Sequence, residues 1–588
     1  MTHLRTGSIG ATPWRDRLLH HKWALLAILL CQMGQVTASL LLPSFSADII
    51  DIGIGGQDAS AIRYYGGLMG VAAAAQLALS GTAAFLGATV AYRIGQSLRE
   101  DVFAKVHGLA LSQVQGFTVG SLITRCTNDV LQVQSMLIMA LTMIVVAPIM
   151  GVGSAVMAVR QDAQLSWLLL VSVPVLAGLI GFLTIKAVPL YQRMQTQLDR
   201  VNSILREQIE GIRVIRAFLQ QPREAGRFAK ANADLTGTAI HAGRLMAMIM
   251  PSLTAVMQLT SVALIWAGAS RVRDGDLEIG ALIAFLSYVA LILIGVMMMG
   301  LMIVMLPRAL VSARRITELL QSPVEVGPPS DPKPLPPRGS GLHLRLEEVG
   351  FGYPGAEAMV IENITFDVGP GETLGIIGAT GSGKSTIVNL IARLNDPGTG
   401  RVTLGGVDLR DAAPDEFASH IGYVPQKAYL FSGTVADSLR LGNAGADEAT
   451  LWNALEVAQA ADFVRAMPDG LMSPVAQGGT NFSGGQRQRL AIARALVCDA
   501  DLYLFDDSFS ALDQATDRKL RAALRQAVGH AATVIVSQRV ASIRDADRIL
   551  VIEKGQMVGL GPHETLMQTC PVYAETVHSQ ARPEEDAA

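Results

Sequence analysis

The run Gly378-Ala379-Thr380-Gly381-Ser382-Gly383-Lys384-Ser385, followed by Thr386, fits the spacing GxxxxGK[ST]. Glycines at those positions let backbone N–H groups wrap phosphate oxygens at a helix N-terminus. The lysine reaches β- and γ-phosphates, and the Ser385 hydroxyl suits Mg²⁺. Farther along, Leu502-Tyr503-Leu504-Phe505-Asp506 is an apolar run ending in a carboxylate, which makes Asp506 the metal-side acid of the same chemistry. Between the two lies Asn481-Phe482-Ser483-Gly484-Gly485-Gln486-Arg487-Gln488-Arg489, a donor-rich turn opening an Ala/Leu/Arg helix. It presents Ser483 and the N–H groups near Gly485 and Gln486 to a second phosphate.

These residues need elements to hold them. Apolar strands expected at 373–377, 502–505 and 533–536 alternate with helical patterns such as 386–394, which predicts an α/β unit with a mostly parallel sheet and ligand sites at strand ends. Upstream, Gly327-Pro328-Pro329 through Pro332, Pro334, Pro336 and Pro337 reads as a stiff, extended linker.

The first half is different in kind. Only 16% of the 588 residues are charged, mean hydropathy is +0.36, and soluble domains carry about 25% charged residues. Six apolar segments, about 23–50, 64–91, 137–159, 165–188, 245–269 and 279–306, each have the roughly 20 residues that a spanning helix needs. Arg5, Arg15 and Arg17 precede the first, which is too long for the core of a signal peptide and reads as a retained membrane helix. Basic residues mark the connections after the second and fourth segments, including Arg99, Lys105, Arg193, Arg200 and Arg213. The alternate connections are short and acidic or balanced, so the basic side belongs in the cytoplasm. Leu198, Val201, Ile204, Leu205, Gln208, Ile209 and Ile212 recur at helical spacing, extending the membrane helices into that compartment. A net charge of −3 argues against nucleic acid as partner, and Cys31, Cys126, Cys498 and Cys570 lack the spacing of a zinc site or disulfide framework.

In this order, the phosphate loop, the Ser-Gly-Gly-Gln turn and the strand-end acid resemble the ATP-binding cassette (ABC) transporter family, over nearly the whole chain. Six spans before one cassette resemble its exporter type, in which two half-transporters dimerise. The resemblance implies a six-helix, all-α membrane domain (1–325), a Pro-rich linker (326–341), an α/β P-loop NTPase cassette (342–580) and a disordered tail (581–588). Tyr353 resembles the family's adenine-stacking aromatic, Gln426 its Mg²⁺- and coupling-linked glutamine, and Ser510-Ala511-Leu512-Asp513 its D-loop. ATP and Mg²⁺ are the implied ligands, the metal on Ser385, Gln426 and Asp506. Residues 117–129 and 211–218 resemble the segments that transmit cassette closure to the membrane domain.

Two positions depart from the family. Asp507 stands where Glu normally polarises the attacking water, and Gln538 where His normally contacts the γ-phosphate. A shorter carboxylate and a side chain without charge predict a site that binds Mg-ATP yet hydrolyses it slowly, since a misplaced or missing base costs on the order of 10²–10⁴-fold. Such pairs resemble the degenerate half of heterodimeric exporters, whose intact Ser483–Gln486 turn completes the partner's site. The chain as a whole looks most like actinobacterial multidrug-type half-transporters, and so is expected in a bacterial cytoplasmic membrane, multi-pass, with cassette and both termini cytoplasmic. Spans with almost no interior charge, only polar groups such as Gln32, Gln35, Gln76 and Gln258, favour a lipophilic or amphipathic cargo such as a drug or lipid. The Met-rich stretches, Met297, Met298, Met299, Met302 and Met305 with Met246, Met248, Met250 and Met257, suit either an adaptable cavity wall or plain packing. A homodimeric exporter, a chelate importer of exporter-like build and a non-transport ATP sensor are the alternatives.

Overall fold

The computed structural model describes residues 13–353 and 355–580. Arg5, the tail 581–588 and the side chains of Arg15, Met302 and Met305 lie outside the described residues. Contacts divide the chain into two compact units: residues up to Phe103 with Ile123–Ser322, and Ala104–Leu122 with the chain from Pro323 onward.

Among the described residues of the first unit, six helical stretches are long and apolar enough to cross a membrane: Lys22–Gly55, Ala59–His107, Val119–Gln161, Trp167–Glu210, Gln221–Asp274 and Ile279–Met299. Hydrocarbon offers the backbone no hydrogen bonds, so apolar segments satisfy it within helices, and Pro43, Pro174, Pro189 and Pro307 are carried inside them. Trp167–Glu210 continues well past its apolar part, as the helical spacing predicts, and stops at Gly211.

The core of this unit gathers around Leu176, Leu264, Phe285, Tyr288 and Val289. Tyr288 donates its hydroxyl to the Leu40 carbonyl at 2.8 Å. Gly295 lets two helices approach so closely that a Cβ there would lie 3.1 Å from the Ala147 carbonyl oxygen. Asp51 accepts from the Gly280 and Ala281 N–H groups at 2.6 and 3.1 Å, capping the last spanning helix. At the other end Ser312 donates to the buried Asp129 at 2.8 Å, and Arg125 pairs with Glu318 at 2.9 Å. Gln32 is buried and donates to the Leu141 carbonyl, so this glutamine ties helices together. Met248 and Met250 are exposed, whereas Met257 packs against the core.

The second unit is built on strands β1 (Leu344–Phe351), β2 (Ile361–Val368), β3 (Thr373–Gly378), β4 (Thr399–Leu404), β5 (Val407–Asp408), β6 (Ile421–Val424), β7 (Gly433–Thr434), β8 (Pro474–Val475), β9 (Leu502–Asp506), β10 (Ala532–Val536), β11 (Arg548–Glu553) and β12 (Gln556–Gly561). Sheet order is β2-β1-β4-β5 in an antiparallel layer and β12-β11-β3-β10-β9-β6 in the main sheet, where β11, β3, β10, β9 and β6 run parallel. Parallel strands are covered on both faces and read as continuous apolar runs; all five residues of β9 are buried. The 327–337 linker is no free spacer. Leu335 is buried, its N–H donates to Glu416 Oε1 at 3.0 Å, and Arg393 reaches the carbonyls of Gly327 and Ala412 at 3.0 Å each.

The helix Leu111–Phe117 packs within this unit. Leu111 N–H donates to the Leu394 carbonyl at 3.1 Å and Gln113 Nε2 to the Pro323 carbonyl at 2.8 Å. The connection between the second and third apolar segments is thus built into the α/β unit as one of its parts.

Candidate functional site

Strand β3 ends at Gly378 and a helix begins at Lys384, leaving a glycine-rich loop between them. Gly381 and Gly383 sit at φ +82° and +98°, where L side chains are strained. A Cβ on Gly383 would lie 2.5 Å from Ile361 Cγ2, while Gly381 faces open space. The loop therefore needs glycine once for packing and once for a cradle. Ser382 Oγ is buried there with no protein partner, a polar atom awaiting a ligand. Lys384 is buried, with Nζ 2.8 Å from the Gly378 carbonyl and 2.7 Å from that of Ala379.

Beside the loop is a cavity of about 300 Å³ lined by Thr380, Gly381, Gly383, Lys384, Ser385, Thr386, Gln426, Asp506, Asp507 and Gln538, with Val360 and Val536 as apolar wall. Sheet register explains the assembly: Val536 lies opposite Asp506 across β10 and β9, and Val534 opposite Leu374 on β3, so three strand ends deliver their loops to one place. Ser385 Oγ donates to Asp506 Oδ1 at 3.1 Å. Gln426 Nε2 is 3.4 Å from Asp507 Oδ2, a long contact. Asp507 adopts φ +46°, left-handed backbone that Asp tolerates better than most residues, with its N–H on the Val536 carbonyl at 2.9 Å.

Burial pushes the Asp506 carboxyl above its ordinary range; the Ser385 hydrogen bond opposes this, and the Asp507 charge adds to it. Burial also lowers the Lys384 ammonium, against the pull of Asp507 and then Asp506. Two carboxylates and a lysine in partial desolvation make a site short of positive charge near oxygen donors. A divalent cation with an attached polyphosphate fits that deficit, and the oxygen-only donor set of Ser385, Asp506 and Gln426 suits Mg²⁺.

Other residues singled out in the sequence lie elsewhere. Tyr353 is half-buried, edge-on to Phe351 with ring centroids 5.1 Å apart, and does not line the cavity. Ser483, Gly485 and Gln486 also stand apart from it, at the exposed start of the helix Gly484–Leu496. There Ser483 N–H donates to Gln486 Oε1 at 2.9 Å, and Gln486 N–H to Ser483 Oγ at 3.3 Å, a capping box. Val360 and the Arg539 guanidinium, which reaches the Ser510 carbonyl at 3.3 Å, carry no sequence signal of their own.

Comparison with known proteins agrees with the geometry. Residues 25–297 match the family "ABC transporter transmembrane region" and residues 361–510 the family "ABC transporter". An uncharacterized ABC transporter ATP-binding protein of Mycobacterium tuberculosis (strain CDC 1551 / Oshkosh) is 43% identical over 571 residues, covering 96% of this chain and 97% of that one. A fatty acid ABC transporter ATP-binding/permease protein of the same organism is 32% identical, over 81% of this chain and 75% of its own length. The structure of a bacterial Atm1-family ABC exporter with ATP bound superposes with TM-score 0.77 at 24% identity, covering 97% of this chain and 99% of the other, a likeness of fold.

Proposed function

The chain belongs to the ABC transporter family, an ATP-hydrolysing membrane transporter of six apolar helices and one cassette, and from that premise we propose that it is the degenerate-site half of a heterodimeric exporter of lipophilic or amphipathic compounds. The observation that carries this is the pair Asp507 and Gln538 in the cavity beside Lys384. Gln426 Nε2 donates to the Asp507 carboxylate over a long 3.4 Å, and Gln538 brings no charge to the cavity wall.

In this reading the glycine loop and Lys384 bind the phosphates of ATP, and Ser385, Asp506 and Gln426 hold Mg²⁺. The metal, when bound, neutralises charge between the β- and γ-phosphates. Asp507 orients water poorly because its carboxylate is one methylene short, and Gln538 donates a hydrogen bond without a proton to give. The exposed turn at Ser483 caps a helix N-terminus that offers N–H groups to nucleotide on the partner's loop, while Tyr353 stacks on adenine. In this reading the cassette and both termini lie in the cytoplasm of a bacterial cell, which the basic connections support. The relative named as a fatty acid transporter and the low interior charge of the spans support a lipophilic cargo.

One specific observation favours a second reading. Asp507 keeps a carboxylate inside the cavity, so a homodimer with Asp507 as base is the alternative. Mg-ATPase of the chain alone, with its partner, and with Asp507→Glu plus Gln538→His decides. Slow turnover alone that rises about 10²-fold or more with partner or reversion fits the degenerate half. Brisk turnover by the unsubstituted chain alone establishes the homodimer.

A further inference from the structure

The structure assigns to Gln580, at the end of the last described helix, a role in positioning the loop that carries Gln538. We infer that this side chain fixes the backbone on both sides of Arg539 and thereby sets where Gln538 meets the nucleotide.

After β10 the chain runs Ser537-Gln538-Arg539 into the short helix Val540–Ile543. That helix has no side-chain cap of its own at Arg539. Its first N–H, on Val540, donates instead to Gln580 Oε1 at 2.8 Å. The other half of the same amide, Nε2, donates to the Gln538 carbonyl at 2.7 Å. Donor and acceptor of one side chain thus close on peptide groups either side of Arg539, a two-point contact that resists both shift and rotation of the loop. Aspartate and asparagine are too short to span it from the same Cα, and glutamate loses the donor.

The support behind Gln580 is rigid. Its helix, Pro571–Gln580, is anchored by Tyr573, which is fully buried with Ile377, Val540 and Ile543, and whose hydroxyl lies 2.7 Å from His563 Nδ1. The loop has a second tether, because Arg539 N–H donates to Ser537 Oγ at 3.0 Å and its guanidinium to the Ser510 carbonyl at 3.3 Å. The Ser510 N–H and hydroxyl in turn reach back to the Asp507 carbonyl, at 3.4 and 2.8 Å. Gln538, Asp507 and the C-terminal helix are therefore one connected frame. Gln538 lines the cavity, so a shift of its peptide moves a cavity wall. This inference rests on the cavity being the nucleotide site, and the frame is the same whether that site hydrolyses quickly or slowly.

The test is the rate at which 8-azido-ATP leaves this chain in the membrane-reconstituted transporter, read by photolabelling after a chase. Gln580→Ala speeds release by about three- to tenfold, the scale set by one or two backbone hydrogen bonds. Gln580→Glu, which keeps the acceptor for Val540, gives a smaller acceleration. In a Gln538→Ala background both effects vanish, because the wall they position is gone. Acceleration of equal size in that background, or none in either, overturns the inference. Should Gln580→Ala fail to fold, the same pair of backgrounds with Gln580→Glu gives the decision.

Discussion

Ser112 donates its backbone N–H to Asn395 Oδ1 at 3.1 Å, joining residues 283 positions apart in sequence. The same hydroxyl residue reaches Glu325 Oε2 through Oγ at 3.2 Å, and Asn395 is buried with its Nδ2 unpartnered. Asn395 is thus placed as an acceptor for a helix that belongs by chain order to the membrane half.

Asn395→Ala leaves a buried N–H without a partner, a loss of about 1–3 kcal/mol at that contact. Basal ATP turnover stays, because Asn395 does not line the nucleotide cavity. Stimulation of turnover by cargo falls by about an order of magnitude, on the same energy scale. Titrating a lipophilic substrate into proteoliposomes measures this. Unchanged stimulation would remove the segment from the coupling route.

Lys384→Ala deletes the cation of the cradle and leaves the carbonyls of Gly378 and Ala379 without their ammonium partner. On the heterodimer reading, photolabelling of this chain by 8-azido-ATP disappears, whereas turnover by the assembled transporter only declines, since the partner would keep its own phosphate loop. Complete loss of turnover together with labelling would contradict the heterodimer.

Ser483→Ala removes the capping box and costs about 1 kcal/mol of cassette stability, while Ser483→Gly costs only a few tenths. On the heterodimer reading, hydrolysis in the partner's site stops with Ser483→Ala, because that hydroxyl and the helix N-terminus would complete it. Differential scanning calorimetry of the isolated effect and ATPase of the complex separate the two consequences. Full turnover with Ser483→Ala would mean that the turn only caps its helix.

Much of this arrangement is legible in the sequence. The apolar runs located the six membrane helices because hydrocarbon leaves a backbone no alternative, and the strands ending at Gly378 and Asp506 were visible because buried parallel strands are continuously apolar. What sequence left dark depends on contacts between distant positions. Pro-rich composition reads as a stiff, extended linker and gives no sign that Leu335 and Arg393 hold it to the α/β unit. Gln32 looked like a lone polar group in a span and is a helix tie. Gln580 carries no motif, because a side chain bonding to backbone leaves no pattern in the residues it holds. The φ of +46° at Asp507 was equally silent, since only glycine announces such backbone.

The pH dependence of nucleotide binding follows from Lys384. Burial lowers its ammonium below the ordinary value of 10.5, with Asp507 as the first opposing charge and Asp506 the second. Phosphates are drawn to the protonated form, so affinity for Mg-ATP falls as pH rises through the depressed value, earlier than an exposed lysine allows. Nucleotide-free stability runs the other way. Between the folded value and 10.5 the unfolded chain binds the extra proton, so unfolding free energy rises with pH there, measured as the difference from Lys384→Met, which has nothing to titrate. Asp507→Asn takes away the charge that most supports the ammonium and moves both transitions to lower pH. Mg-ATP titrations and denaturant unfolding from about neutral pH upward follow the two limbs. If affinity and stability change in the same direction, or Asp507→Asn shifts neither, Lys384 does not titrate against these carboxylates and the charge balance drawn for the cavity is wrong.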